Sequence, residues 1–178
     1  MKMFFSGGCK NGKSSLAEDC ARVLAGEGPL YYLATMIPHD EEDRERIRRH
    51  VASRAGKGFT TIECGVHITD AVRGVDAKGS FLLDSVTALL TNEMFRDGEF
   101  DPHAAERVAE ELCELADSVG SIVFVSDFIY ADTGMYDEFT ETYRAGLARC
   151  DAALARCCDT VVEINLATPI LYKGVMPL

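Results

Sequence analysis

The residues Gly7-Gly8-Cys9-Lys10-Asn11-Gly12-Lys13-Ser14 carry the spacing G-x-x-x-x-G-K-[ST] of a phosphate-cradling P-loop. Its glycines let the backbone turn successive N–H groups inward, around the oxygens of a nucleotide. Lys13 can then reach the terminal phosphates, and the Ser14 hydroxyl can ligate a magnesium ion that arrives with them. The flanks suit this chemistry. Met3-Phe4-Phe5 reads as a short strand entering the loop, and Ser15 to Leu24 leaves it with helical spacing. A glycine-rich turn without a ligand is the alternative, and the strand–loop–helix context disfavours it.

A second chemical stretch lies about forty residues on. Asp40-Glu41-Glu42-Asp43 is followed by Arg44, Arg46, Arg48, Arg49, Arg54 and Lys57. Acids first and bases last complement a helix macrodipole, so pattern alone reads as a solvated, well-capped helix. Yet six of the eighteen basic residues of an acidic chain gather here, with His50 four residues from both Arg46 and Arg54. Phosphate is the natural counter-charge for that face. A neutral imidazole is a nucleophile near pH 7, and flanking guanidiniums favour its neutral form. Elsewhere, Asp84 and Glu63 each close an apolar run. Asp84 is read as facing Ser14 across magnesium or as capping the next helix, and Glu63 as a nucleotide contact or an exposed edge carboxylate.

The elements that must position these groups alternate along the chain. Strands are expected over Met3–Ser6, Leu30–Ala34, Phe59–Glu63, Ser80–Asp84, Ser121–Ser126 and Thr160–Ile164, with Thr168–Gly174 returning as an edge strand. Helices are expected over Lys13–Ala25, Asp40–Ala55, Ile68–Val75, Val86–Phe95, Pro102–Ser118 and Phe139–Cys157. That order implies one α/β domain with a mostly parallel sheet, helices on both faces, and ligands beyond the carboxyl ends of the strands. A net charge of −11 argues against general nucleic-acid binding, which needs a basic face. No apolar run is long enough to span a bilayer, and the opening residues do not resemble a signal peptide, so a cytoplasmic protein is expected. Seven cysteines without C-x-x-C spacing read as free thiols, mostly core residues, with Cys9 in the loop as the exception.

Taken together, these blocks resemble the bifunctional adenosylcobinamide kinase / adenosylcobinamide-phosphate guanylyltransferase family of cobalamin biosynthesis. The resemblance is carried by Gly7-Gly8-x-x-x-Gly12-Lys13-Ser14 with Ala17-Glu18, by Tyr32-Leu33-Ala34-Thr35, and by Arg46-Ile47-x-x-His50-x-x-x-Arg54. It continues through Thr61-x-Glu63, Leu82-Leu83-Asp84-Ser85-Val86-Thr87 with Asn92, Tyr143-Arg144, Ala153-Leu154-Ala155 and Asp159-x-Val161. It implies a P-loop, RecA-like core and two successive transfers. A nucleoside triphosphate, ATP or GTP, phosphorylates adenosylcobinamide; GTP then gives GMP to a histidine, matched by His50, which passes it on to form adenosylcobinamide-GDP. It further implies Lys13 as a catalytic residue, Mg2+ held by Ser14 and Asp84 through the nucleotide, and a homo-oligomer, commonly a trimer. Nucleotide contacts are implied for Gly7, Gly8, Cys9, Lys10, Asn11, Gly12, Lys13, Ser14, Ala34, Thr35, Met36, Val51, Arg54, Glu63 and Asp84. The chain departs from the family at Leu89 and after Val125. Ser-Asn-Glu-Val-Gly is replaced by Ser126-Asp127-Phe128-Ile129-Tyr130, an Asn-Gln pair by Asp151-Ala152, and a tryptophan by Leu89. The alternatives are a P-loop kinase without guanylylation and a nucleotide-binding regulatory module without turnover.

Overall fold

The computed structural model describes residues 1–178. Seven strands form one sheet: β1 (Lys2–Gly7), β2 (Leu30–Ala34), β3 (Thr60–Glu63), β4 (Ser80–Asp84), β5 (Ser121–Asp127), β6 (Thr160–Asn165) and β7 (Thr168–Lys173). Their spatial order is β3-β2-β4-β5-β1-β6-β7. Every pairing is parallel except β6 with β7, where Thr168–Lys173 doubles back antiparallel at the edge. Five helices accompany the sheet: α1 (Lys13–Ala25), α2 (Glu41–Arg54), α3 (Val86–Met94), α4 (Ala104–Ser118) and α5 (Glu138–Cys157).

The central strands are apolar on both faces because helices cover both. Side chains alternate along each strand, so neighbouring residues enter different cores. Phe4, Phe81, Leu83, Ile122 and Phe124 pack with α3, α4 and α5 in a cluster of 24 buried residues. Met3, Phe5, Leu82, Val123 and Val125 pack with α1 in a smaller cluster of 12. The larger cluster is the one that three helices cover. In α4 the buried positions Ala105, Val108, Leu112, Leu115 and Ala116 recur at three- and four-residue steps, which turns one apolar stripe inward.

α2 obeys different physics. Arg54 is its one buried residue, so sheet packing does not hold it. The Asp40 carboxylate caps its amino end by accepting from the Asp43 N–H at 2.8 Å, and Glu41, Glu42 and Asp43 complement the dipole. Beyond its carboxyl end, Lys57 pairs with Glu18, which is buried on α1. These tethers hold the charged helix beside the carboxyl ends of the strands.

Two expected elements differ. The helix expected over Ile68–Val75 is a short 3₁₀ segment, Ile68–Val72. His67 before it takes a left-handed conformation without a side-chain cap, and Gly74 has φ 80°, so no α-helical turn propagates. Phe59 lies outside β3, its ring edge-on to Tyr32 at 5.9 Å. No helix is long and apolar enough to cross a membrane.

Candidate functional site

Strand register brings the functional residues to one edge of the sheet. Gly7 at the end of β1 lies opposite Asp127 at the end of β5. Asp84 ends β4 opposite Ala34, and Glu63 ends β3 opposite the same Ala34. The P-loop leaves β1 here and enters α1 through Gly12, whose φ of 88° belongs to the left-handed region that glycine occupies without strain. At Gly7 the constraint is space. A Cβ there would lie 2.4 Å from Asn11 Nδ2 and 2.5 Å from the Ile164 carbonyl oxygen. Asn11 holds the loop shut by donating to that carbonyl at 2.5 Å while accepting from the Lys13 N–H at 3.2 Å.

Lys13 is only 7% exposed. Its ammonium donates to the Gly8 carbonyl at 3.1 Å and to Asp127 Oδ1 at 2.6 Å. Asp127 is itself set by its N–H, which donates to Thr87 Oγ1 at 2.9 Å. This partnership was missing from the sequence reading. Its signal, a carboxylate closing an apolar strand, was visible, but the adjacency of β5 and β1 was not.

Two cavities open around these residues. One, of about 440 Å³, is lined by Cys9, Lys10, Lys13 and Ser14 from the loop, Arg46, Arg49 and His50 from α2, and Asp84 and Asp127 from the strand ends. The other, of about 300 Å³, is lined by Tyr32, Ala34, Met36, Glu63, Arg54 and His50. Arg46, His50, Asp84 and Ser85 line both, so the two are continuous. The P-loop and the arginine-flanked imidazole therefore share one cleft.

The cleft wall mixes charges: Asp40, Glu42 and Asp43 from the start of α2 line it too, but several of its cations are unpaired. Arg48 and Arg44 pair with Glu41, and Arg48 also with Glu45. Lys10, Arg46, Arg49 and Arg54 make no ion pair at all, although acids outnumber bases in this chain. Arg54 is 7% exposed, and its Nε and Nη1 have no hydrogen-bond partner. Its guanidinium sits 3.4 Å from the centroid of the Tyr32 ring, a cation–π contact. The Tyr32 hydroxyl in turn donates to Asp84 Oδ2 at 3.0 Å. Burial, with Asp84 beside it, pushes the Tyr32 phenol above its ordinary range and keeps it a donor. Thr35 is fully buried. Its hydroxyl accepts from the Ser85 N–H at 2.7 Å and donates to the Ser85 carbonyl at 2.8 Å, which fixes the turn after Asp84. Asn92 clamps the same region through the carbonyls of Thr35 and Gly65.

Of the expected site residues, Cys9, Lys10, Lys13, Ser14, Ala34, Met36, His50, Arg54, Glu63 and Asp84 reach the cleft wall. Gly7, Gly12, Asn11 and Thr35 shape its backbone, whereas Gly8 lends Lys13 a carbonyl. Val51 is 53% exposed and lines neither cavity; the helical turn that aims His50 inward points its neighbour out. A hydroxyl and a carboxylate are hard oxygen ligands suited to magnesium, so Ser14 and Asp84 fit such an ion bridged to phosphates. No group of three or more metal-ligating side chains is present.

Among solved structures, the chain resembles the KaiC-like protein PH0186 from Pyrococcus horikoshii. The TM-score is 0.51 at 12% identity, over 97% of this chain and 78% of that one. A second P. horikoshii structure, Project ID PH0250, gives a TM-score of 0.54 at 10% identity, over 98% and 86% of the two chains. No curated protein sequence matches it. Fold and loop together define a P-loop NTPase-type α/β domain with a RecA-like, mostly parallel sheet. The family model for cobinamide kinase / cobinamide phosphate guanyltransferase matches residues 3–170, and the chain belongs to that family of cobalamin-biosynthesis transferases.

Proposed function

We propose that this chain catalyses both transfers suggested by its family: phosphorylation of adenosylcobinamide by a nucleoside triphosphate, then transfer of GMP from GTP through His50. The observation that carries the reading is the single cleft wall shared by Lys13, Ser14, Asp84 and His50. In the first step the P-loop amides and Lys13 hold the triphosphate, and the substrate hydroxyl attacks the γ-phosphorus, losing its proton to solvent as the nucleoside diphosphate leaves. Lys13 must then exchange Asp127 for phosphate. In the second step a ring nitrogen of His50 attacks the α-phosphorus of GTP. Pyrophosphate leaves, and a histidine–GMP phosphoramidate forms. An oxygen of the cobinamide phosphate then attacks that phosphorus, releasing His50 and forming adenosylcobinamide-GDP.

Arg46, Arg49 and Lys10 are the cations available to the developing charge. One pair of unit charges 4 Å apart is worth on the order of 4 kcal/mol at an effective dielectric of 20. Magnesium bound by Ser14, Asp84 and the phosphates would supply further charge neutralisation. Arg54, Tyr32, Met36 and Glu63 are assigned to the nucleoside, Arg54 as a buried donor set. The domain is taken to act as a homo-oligomer, a trimer by family resemblance, in the cytoplasm.

The test is intact mass spectrometry after incubation with GTP and magnesium. The expected result is an acid-labile GMP adduct that His50→Ala abolishes, with Lys13→Ala weakening triphosphate binding in a calorimetric titration without unfolding the protein. Phosphate transfer to cobinamide without an adduct would leave only a kinase, and nucleotide binding with neither event would leave a regulatory module.

A further inference from the structure

A third cavity, of about 220 Å³, opens beside the cleft. Thr87, Ala88 and Thr91 of α3 form one side of it, and Met36 and Ile37 from the segment after β2 form another. Asp127 and Arg46 line both this pocket and the phosphate cavity, whereas Lys13 lines the phosphate cavity alone. Asp127 does not line the cavity assigned to the nucleoside. It therefore stands on the wall between the lysine of the P-loop and an adjoining space. That space is smaller than the roughly 300 Å³ or more that encloses a whole drug-sized ligand, so it suits one arm of a large molecule.

Asp127 presents a reachable carboxylate there. Its side chain is 21% exposed. Oδ1 accepts from Lys13 at 2.6 Å, while Oδ2 takes no hydrogen bond and is not buried. The Asp127 N–H donates to Thr87 Oγ1 at 2.9 Å, which fixes the backbone that carries the carboxylate. Asp43, the other carboxylate of the pocket, instead holds the chain at the start of α2 by accepting from the His39 N–H at 3.1 Å.

We propose that this pocket receives the hydroxyl-bearing arm of the phosphate acceptor, and that Asp127 is the catalytic base of the first transfer. The inference rests on the kinase half of the function proposed above. The attacking and leaving oxygens of a phosphoryl transfer lie roughly in line, so the acceptor must approach from beyond the γ-phosphate. The triphosphate draws Lys13 off Asp127, and the freed carboxylate accepts the hydroxyl proton. The O–H bond breaks as the new O–P bond forms. The bond from the γ-phosphorus to its bridging oxygen breaks with it, and the nucleoside diphosphate leaves with that electron pair. From Asp127 the proton passes to solvent. Met36, Ile37 and Ala88 pack against the carbon chain of the arm. Because Lys13 covers Asp127 until a triphosphate arrives, the base is unmasked only when there is a phosphoryl group to transfer.

The experiment measures steady-state phosphorylation of adenosylcobinamide at saturating triphosphate and magnesium, with triphosphate affinity taken from calorimetry on the same preparations. Asp127→Asn should lower kcat by about 100-fold or more, the scale of a lost general base, without weakening triphosphate binding. Asp127→Ala should be comparably slow and recover about tenfold or more in sodium formate, but not in sodium chloride of equal ionic strength. Ile37→Ser, at an exposed position of the pocket, should raise the acceptor KM several-fold and leave kcat within about twofold. An undiminished kcat in both Asp127 variants, a loss that formate does not restore, or an acceptor KM unmoved by Ile37→Ser would overturn the inference while the kinase reading stands. Absence of phosphoryl transfer by the unsubstituted protein would overturn the kinase reading and this inference with it.

Discussion

Asp151 offers the sharpest physical test, because its burial has a sign and a size. Burial pushes its carboxyl from an ordinary 3.8 up to about 7, with the Ser126 and Tyr130 hydroxyls pulling part of the way back and the nearby Asp127 charge adding to the rise. Between those two values the folded state holds a proton that the unfolded chain has released. Stability therefore falls as pH rises through that window: it is unaffected below 3.8, where both states are protonated, and the full penalty is present above 7. At 1.36 kcal/mol per unit, the shift corresponds to roughly 4 kcal/mol as an upper bound. Asp101, Asp132 and Asp137, held below the ordinary carboxylate range, act below about pH 4; the raised Glu111 and the lowered Cys157 thiol also titrate near the window, and comparison with an Asp151 variant cancels both. Asp151→Asn keeps the shape and a carbonyl acceptor for Tyr130 but cannot ionise. Urea unfolding followed by circular dichroism should therefore show the variant more stable by only about 1.6 kcal/mol or less at pH 5, a little over one unit into the window. At pH 8 the variant should be more stable by about 2–4 kcal/mol. A difference that stays constant from pH 5 to pH 8 would refute the reasoning, since it would mean Asp151 titrates as an exposed carboxylate.

Two further outcomes follow from individual contacts. Asp127→Asn removes the charge that holds Lys13 at 2.6 Å, so a triphosphate no longer has to displace it. Calorimetry should show affinity rising about 5- to 30-fold, the scale of a partly buried charge pair; a fall in affinity would instead make Asp127 part of the phosphate or metal contact. Cys113 Sγ and Cys157 Sγ lie 3.1 Å apart between α4 and α5, and hydrogen bonds from the Cys158 and Cys113 thiols hold the Cys157 thiol below its ordinary range. Diamide, accepting two electrons and two protons, should close a Cys113–Cys157 disulfide before any other. Peptide mapping that finds exposed Cys9 in the first cross-link would contradict that order.

The local chemistry of this chain is written in neighbouring residues. Gly12 and Lys13 are one step apart, and a strand on one side with a helix on the other leaves the loop little choice of conformation. His50 shares a helical face with Arg46 and Arg54 because 3.6 residues per turn require it, and the carboxylates Glu63 and Asp84 end their strands where the apolar runs stop. Most element boundaries, the return of the chain after Thr168 as an edge strand and the family were legible for the same reason; the helix expected over Ile68–Val75 was not. What lay beyond reach was every fact that depends on strand order. That β5 lies beside β1, so that Asp127 meets Lys13, and that Lys57 and Glu18, 39 positions apart, tether α2, rest on long-range pairings. The meeting of the loop with His50 was expected from the two motifs, and the shared cleft bears it out. The unpaired state of Arg54 and the burial of Asp151 are likewise properties of the packed molecule. A residue type states which charges it can carry; only the three-dimensional neighbourhood decides whether water or another side chain answers them.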